Sequence, residues 1–266
     1  MAERMGIFID VSKCTGCRGC QVACKQWNNL PATKTAFSGS YENPPQIEGN
    51  TWTKVKFIED RHSNGNVRFL FRKTQCMHCT EASCVAVCAS GAATRMDNGS
   101  VVIDQNKCIG CKNCVVACPF GAVGYDTQTG TSRKCRLCYE RVSNNMLPAC
   151  VKTCPPGALR FGKREEILTM ARERVKQLKA TGKDAYIYGE KELGGTGSIY
   201  VLDAPPKVYG LPENPKPATA SVSGNWLGVL IGAGILAFAP FKFLFNDNDT
   251  DVDKTPGTEV DQNASN

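Results

Sequence analysis

Sixteen cysteines fall into four sets along the chain: Cys14, Cys17, Cys20 and Cys24; Cys76, Cys79, Cys84 and Cys88; Cys108, Cys111, Cys114 and Cys118; and Cys135, Cys138, Cys150 and Cys154. The first and third sets read Cys-x2-Cys-x2-Cys-x3-Cys, the spacing with which bacterial ferredoxins hold cubane iron–sulfur clusters. Three cysteines of such a loop wrap one cluster, and the fourth reaches a neighbouring one. Sixteen thiolates at four per cluster predict four 4Fe-4S clusters with none left over, and the chemistry they imply is one-electron transfer.

Other uses of cysteine fit less well. Disulfide frameworks rarely place three cysteines two residues apart and then repeat the pattern with glycine between them. Zinc sites often recruit histidine, and only His62 and His78 are present. The formal charge of +7 treats the thiols as neutral. Each oxidised cluster with its thiolates carries a charge of about −2, which brings the loaded protein close to neutrality. The basic balance is therefore no argument for nucleic acid as a partner. No catalytic triad, paired general acid and base, or nucleotide-binding loop is visible, so the chain is expected to conduct rather than catalyse.

The elements that must hold these cysteines are repeated units. Ile9-Asp10 through Cys14-Thr15-Gly16-Cys17 matches Ile103-Asp104 through Cys108-Ile109-Gly110-Cys111, so a short strand feeds each of these ligand loops. A second repeat follows the last cysteine of three sets: Cys88-Ala89-Ser90-Gly91-Ala92, Cys118-Pro119-Phe120-Gly121-Ala122 and Cys154-Pro155-Pro156-Gly157-Ala158. Strands are expected at 53–58 and 67–71, joined across Asn64-Gly65. Further hairpins are expected at 92–95 with 101–104, and from 122–125 to the stretch before Cys135. Ile167, Leu168, Ala171, Val175 and Leu178 share one face of a helix predicted over 163–182, which Gly182 ends.

The expected fold class is α+β, with two nested ferredoxin-like modules holding four clusters and a C-terminal transmembrane helix. Residues 1–75 and 119–162 form the outer module, with an insertion at 32–73, and 76–118 form the core of the inner one. An extended, Gly- and Pro-rich linker follows at 183–222, then a membrane helix at 223–245 and a hydrophilic tail at 246–266. Nesting, preferred over two modules in tandem, groups Cys14, Cys17 and Cys20 with Cys154; Cys135, Cys138 and Cys150 with Cys24; Cys76, Cys79 and Cys84 with Cys118; and Cys108, Cys111 and Cys114 with Cys88. Two residues stand out as tuning groups: His78 as a donor to sulfur, and Lys25 as a charge beside Cys24.

The order of the four sets resembles the iron–sulfur subunit of membrane-bound enzymes of the molybdopterin superfamily. The beta subunit of respiratory formate dehydrogenase is the closer likeness. It is carried by Cys17-Arg18-Gly19-Cys20-Gln21-Val22-Ala23-Cys24-Lys25-Gln26-Trp27-Asn28, Asn43-Pro44-Pro45, Asn50-Thr51-Trp52, Gly195-Thr196, Tyr200-Val201-Leu202 and Tyr209-Gly210-Leu211-Pro212. The resemblance implies a noncatalytic relay subunit. Its partners would be a molybdopterin- or tungstopterin-containing catalytic subunit that oxidises formate and a membrane cytochrome b or other quinone-reactive subunit. It implies a cell-membrane location, single-pass in the lipid bilayer. No secretion signal opens the chain, so the remainder is expected in the periplasm by co-export with a partner, or on the cytoplasmic face. The alternative functions are the equivalent subunit of a polysulfide, thiosulfate, nitrate or sulfoxide oxidoreductase, or a freestanding polyferredoxin.

Overall fold

Ile7, Phe8 and Ile9 are buried on a strand whose successive side chains leave opposite faces, so this strand must be covered on both sides. The computed structural model describes residues 3–37, 39–61 and 65–220. In chain order its elements are β1 (Met5–Asp10), α1 (Gly19–Trp27), β2 (Lys54–Arg61), β3 (Val67–Thr74), α2 (Ser83–Ala86), β4 (Ala93–Arg95), β5 (Val101–Ile103), α3 (Asn113–Val116), β6 (Gly124–Asp126), β7 (Thr131–Arg133), α4 (Tyr139–Val142), α5 (Ala149–Lys152), β8 (Leu159–Lys163), α6 (Arg164–Ala180), β9 (Tyr186–Tyr188) and β10 (Ser198–Leu202). The main sheet has the order β8-β1-β10-β9, with β1 parallel to β10 and antiparallel to β8.

The period of two sorts the two faces of this sheet. Phe8, Ile199 and Val201 pack with Ile167, Leu168, Ala171 and Leu178 of α6. Ile7, Ile9, Tyr200 and Leu202 point the other way, into a core that includes Cys20 and Cys150. Glu165 and Glu166 in the first turn of α6 and Lys179 in its last turn oppose the helix dipole with the favourable sign. Asp10 joins the two sides. Its fully buried carboxylate accepts from the Ser12 backbone N–H at 3.1 Å, the Ser12 hydroxyl at 2.6 Å and Arg174 Nε of α6 at 2.8 Å.

The three predicted hairpins are present as β2–β3, β4–β5 and β6–β7, each antiparallel. Two findings depart from expectation. Residues 183–222 are not simply an extended linker: they supply β9 and β10, and every residue of β10 is buried. A strand buried on both faces shows a continuous apolar run in place of alternation, and the Gly and Pro on either side obscured it.

The fold class is corrected at the C-terminus. Among the described residues no helix is long and apolar enough to cross a membrane. The expected transmembrane helix at 223–245 and the tail at 246–266 lie outside the described residues. The described architecture is α+β, and nothing in it supports the expected transmembrane helix or the single-pass membrane location.

Candidate metal centres

All four cysteine sets begin with the same local turn. In each Cys-x-x-Cys the residue before the second cysteine has a left-handed backbone: Gly16 at φ 69°, His78 at 51°, Gly110 at 70° and Leu137 at 58°. This turn aims an amide back at the first sulfur. The N–H of His78 donates to Cys76 Sγ and that of Leu137 to Cys135 Sγ, both at 3.4 Å. Glycine is needed at two of the four places for reasons of space. A Cβ on Gly110 would lie 2.1 Å from the Gly130 carbonyl oxygen, and one on Gly16 would lie 2.8 Å from the Phe71 ring.

The second repeat also makes a fixed turn. Gly91, Gly121 and Gly157 donate their N–H groups to the carbonyls of Cys88, Cys118 and Cys154. The chain then doubles back so that Ala93 N–H reaches Cys88 Sγ at 3.3 Å and Ala122 N–H reaches Cys118 Sγ at 3.4 Å. Ser132 N–H donates to Cys108 Sγ at 3.4 Å, and Asn28 Nδ2 lies 3.7 Å from Cys24 Sγ. Amides aimed at sulfur are the donors that stabilise thiolates bound to a cluster.

The linear sets are regrouped in space. Cys14, Cys17 and Cys20 line one cavity with Cys154. Cys24 lies within electrostatic range of Cys150 and Cys138, and Cys135 lies near both Cys24 and Cys138. Cys79 and Cys84 each face Cys76 and Cys118. Cys114 faces Cys108, Cys111 and Cys88. Each of these neighbourhoods combines sulfurs from different linear sets. Among the described residues, no three or more His, Cys, Asp or Glu side chains converge to hold a single metal ion. Cys14, Cys17, Cys20 and Cys154 instead border a small cavity.

Burial dominates the chemistry of the free thiols. It pushes Cys20, Cys24 and Cys84 up to about 12 and holds Cys135 well above the usual range, with neighbouring thiolates adding to the shift. Cys88 is the opposite case. Burial raises it, but the N–H groups of Ala93, Ala92 and Ser90 and the Ser90 hydroxyl outweigh that and hold it below the usual value. Loading metal must therefore displace protons that most of these pockets hold tightly.

The two residues singled out as tuning groups both stand near sulfur, Lys25 within electrostatic range of Cys24 and His78 through its backbone N–H to Cys76 Sγ. Lys25 Nζ donates to the carbonyls of Pro31 at 2.7 Å and Asn50 at 2.9 Å, so it ties the insertion to α1. His78 is fully buried, and its Nδ1 accepts from Val101 N–H at 3.0 Å. Among the described residues Nε2 has no hydrogen-bond partner. Burial, reinforced by Lys134 and Arg4, keeps this imidazole neutral. Two further cations lie enclosed among the sulfurs, Lys73 and Lys134. For both, burial works against the charge, and the surrounding thiolates outweigh it. Their positions carried little signal in the sequence beyond Lys134 standing next to Cys135.

Clustered thiols, amides directed at sulfur and buried cations with no carboxylate partner among the described residues fit anionic iron–sulfur cores, and so define a ferredoxin-type electron-transfer protein. A family model described as a 4Fe-4S dicluster domain matches residues 67–164, which accounts for two clusters. The chain is 41% identical over 263 residues to the nitrate-inducible formate dehydrogenase iron-sulfur subunit of Escherichia coli (strain K12), covering 96% of this chain and 86% of that one. It is 42% identical over 242 residues to the formate dehydrogenase-O iron-sulfur subunit of the same organism, covering 89% and 80%. To the formate dehydrogenase iron-sulfur subunit of Haemophilus influenzae it is 42% identical over 215 residues, covering 79% and 69%. The chain belongs to the family of formate dehydrogenase iron–sulfur subunits, and its part in such a complex is electron transfer, not catalysis.

Proposed function

We propose that this chain carries single electrons from a molybdenum- or tungsten-pterin catalytic subunit that oxidises formate to a membrane cytochrome b and quinone. Four 4Fe-4S clusters would be held by Cys14, Cys17, Cys20 and Cys154; by Cys24, Cys135, Cys138 and Cys150; by Cys76, Cys79, Cys84 and Cys118; and by Cys88, Cys108, Cys111 and Cys114. When bound, each supplies a reversible one-electron couple. The outer module at 1–75 and 119–162 would then enclose the first two groups, and the inner module around 76–118 the last two.

One observation supports this reading: neighbouring sulfurs join the proposed groups into one line. Cys20 neighbours Cys150, Cys135 neighbours Cys76, and Cys84 neighbours Cys114. Exposed sulfur occurs at the two ends of that line, at Cys17 and Cys111, while Cys24, Cys135, Cys138 and Cys150 are all buried. An insulated middle with one accessible sulfur at each end suits an entry and an exit for electrons.

The test is metal analysis of the native complex with a formate-to-quinone assay. About sixteen irons per chain are expected from four cubanes, together with formate-dependent bleaching of the cluster absorbance. About eight irons, the content of a dicluster domain alone, or zinc in their place, would remove the four-cluster relay.

A further inference from the structure

Two lysines are enclosed by the cysteine groups with no carboxylate to match them. Lys73 is 2% exposed and Lys134 is 1% exposed. Among the described residues neither forms an ion pair with Asp or Glu. Lys73 Nζ donates to Gln75 Oε1 and, at 3.4 Å, to Thr53 Oγ1. Its side chain lines the cavity shared by Cys14, Cys17, Cys20 and Cys154. Lys134 Nζ donates to the carbonyls of Val101 and, at 3.1 Å, of Cys135, and it also reaches the Cys76 thiol. Neutral acceptors alone compensate a buried ammonium poorly, so a negative charge must share its surroundings.

The sulfurs nearest each lysine belong to two groups at once. Lys73 faces Cys150, Cys20 and Cys135, placing it between the first and second groups of the line. Lys134 faces Cys76, Cys84 and Cys135, placing it between the second and third. The last group, with Cys88, Cys108, Cys111 and Cys114, is served differently. Lys112 stacks on the Tyr125 ring 4.2 Å from its centroid, and Lys107 faces Asp104 at the surface.

We propose that Lys73 and Lys134 are internal counter-charges of the relay, raising the reduction potentials of the clusters on either side of them so that the enclosed middle of the line accepts electrons. The proposal rests on the ligand grouping given above. Adding one electron takes an oxidised cluster with its thiolates from a charge of about −2 to about −3. In a buried site that added charge is poorly solvated. A nearby fixed cation stabilises the reduced state more than the oxidised one because Coulomb energy scales with the product of the charges. The second group is flanked by both lysines and contains no exposed sulfur, so it depends on them most.

The experiment uses the full chain in its native complex, with Lys73→Met and Lys134→Met as neutral substitutes of similar length. Iron content is measured first, since it tests the ligand grouping separately. Electron paramagnetic resonance during a dithionite titration then follows the midpoint of each cluster. Lys73→Met should lower the midpoints of the first and second clusters, and Lys134→Met those of the second and third. The expected size is at least a tenfold fall in the reduced-to-oxidised ratio at a fixed potential, about 59 mV for one electron. The fourth cluster should not move in either variant.

Unchanged midpoints with full iron would overturn the proposal, because lysines that merely stitch loops together affect stability and leave potentials alone. If a Met variant fails to load iron, Lys→Arg and Lys→Gln at the same position decide. Loading restored by Arg but not by Gln supports the counter-charge; loading by Gln, or failure of Arg, rejects it.

Discussion

Where β1 and β10 meet α6, the chain is held by Phe8, Ile199, Val201, Ile167, Leu168 and Ala171 packed around one another. Across the same sheet Ile7, Ile9, Tyr200 and Leu202 enter a second apolar core with Leu70, Met77 and Leu137, but the ligand-bearing elements beyond it are short: α2, α3, α4 and α5 have four residues each, and β4 to β7 have three. Around these elements thiols and two lysines share the interior with scattered apolar side chains such as Leu30, Trp52, Ile103 and Val123. A four-residue helix has no stability of its own, so its shape here must come from the sulfur it presents. The α6 region is therefore stabilised by apolar burial alone, whereas the ligand-bearing elements depend on their cofactor as well, and the two should respond to different injuries.

The strongest way to break this contrast is to remove a ligand from the enclosed group. Cys135 is fully buried, and its neighbours include thiols of its own group and of the next. Cys135→Ala is expected to abolish one cluster, removing about four irons, and to reduce formate-to-quinone turnover to background, since the line is interrupted at its centre. Full iron and unaltered turnover in this variant would contradict both the ligand role and the serial arrangement. Exposed Cys111, at one end, should lose its cluster with less disturbance to the rest of the fold.

A smaller effect, of a different kind, is expected on the other side of the sheet. Ile167 is 1% exposed in the α6 core, and Ile167→Ala should cost about 2–5 kcal/mol through lost burial and the cavity left behind. Thermal unfolding of the loaded protein measures it. The sharpening result is a dissociation: lower thermal stability with unchanged iron per folded chain and unchanged cluster spectra. Loss of clusters in proportion to stability would mean that the two sides fold as one unit.

Legibility in the sequence followed the same division. The hairpins and α6 were readable because their apolar residues recur at periods of two and 3.6. The cysteine sets were readable because ligand loops are local, and the Cys24–Asn28 run carried the family likeness; Asn28 turns back on Cys24 through Nδ2. Strand β10 was missed because burial on both faces erases alternation. Lys73 and Lys134 were missed because their meaning lies in sulfurs brought from distant positions, whereas Lys25, adjacent to a cysteine in sequence, is spent on two carbonyls. Gly16 and Gly110 suit the left-handed turn by residue type; at His78 and Leu137 the residue type gave no hint of it.

The smallest expected effect marks the outer limit of both regions. Lys163 ends β8 at the surface, where its Nζ meets Glu3 at 2.8 Å with both side chains at least half exposed. The carboxylate raises the Lys163 pKa, so the pair weakens only as pH rises beyond the ordinary lysine range. Solvent and salt screen an ion pair in this position, and neither partner is needed to close a core or neutralise a buried charge. Lys163→Ala should therefore leave iron content, cluster midpoints and the unfolding temperature within experimental scatter at neutral pH. Charge in this protein matters where it is enclosed with sulfur. A shift in any cluster midpoint from this distant surface substitution would show that potentials respond to the overall field, and would weaken the case for local control by two buried lysines.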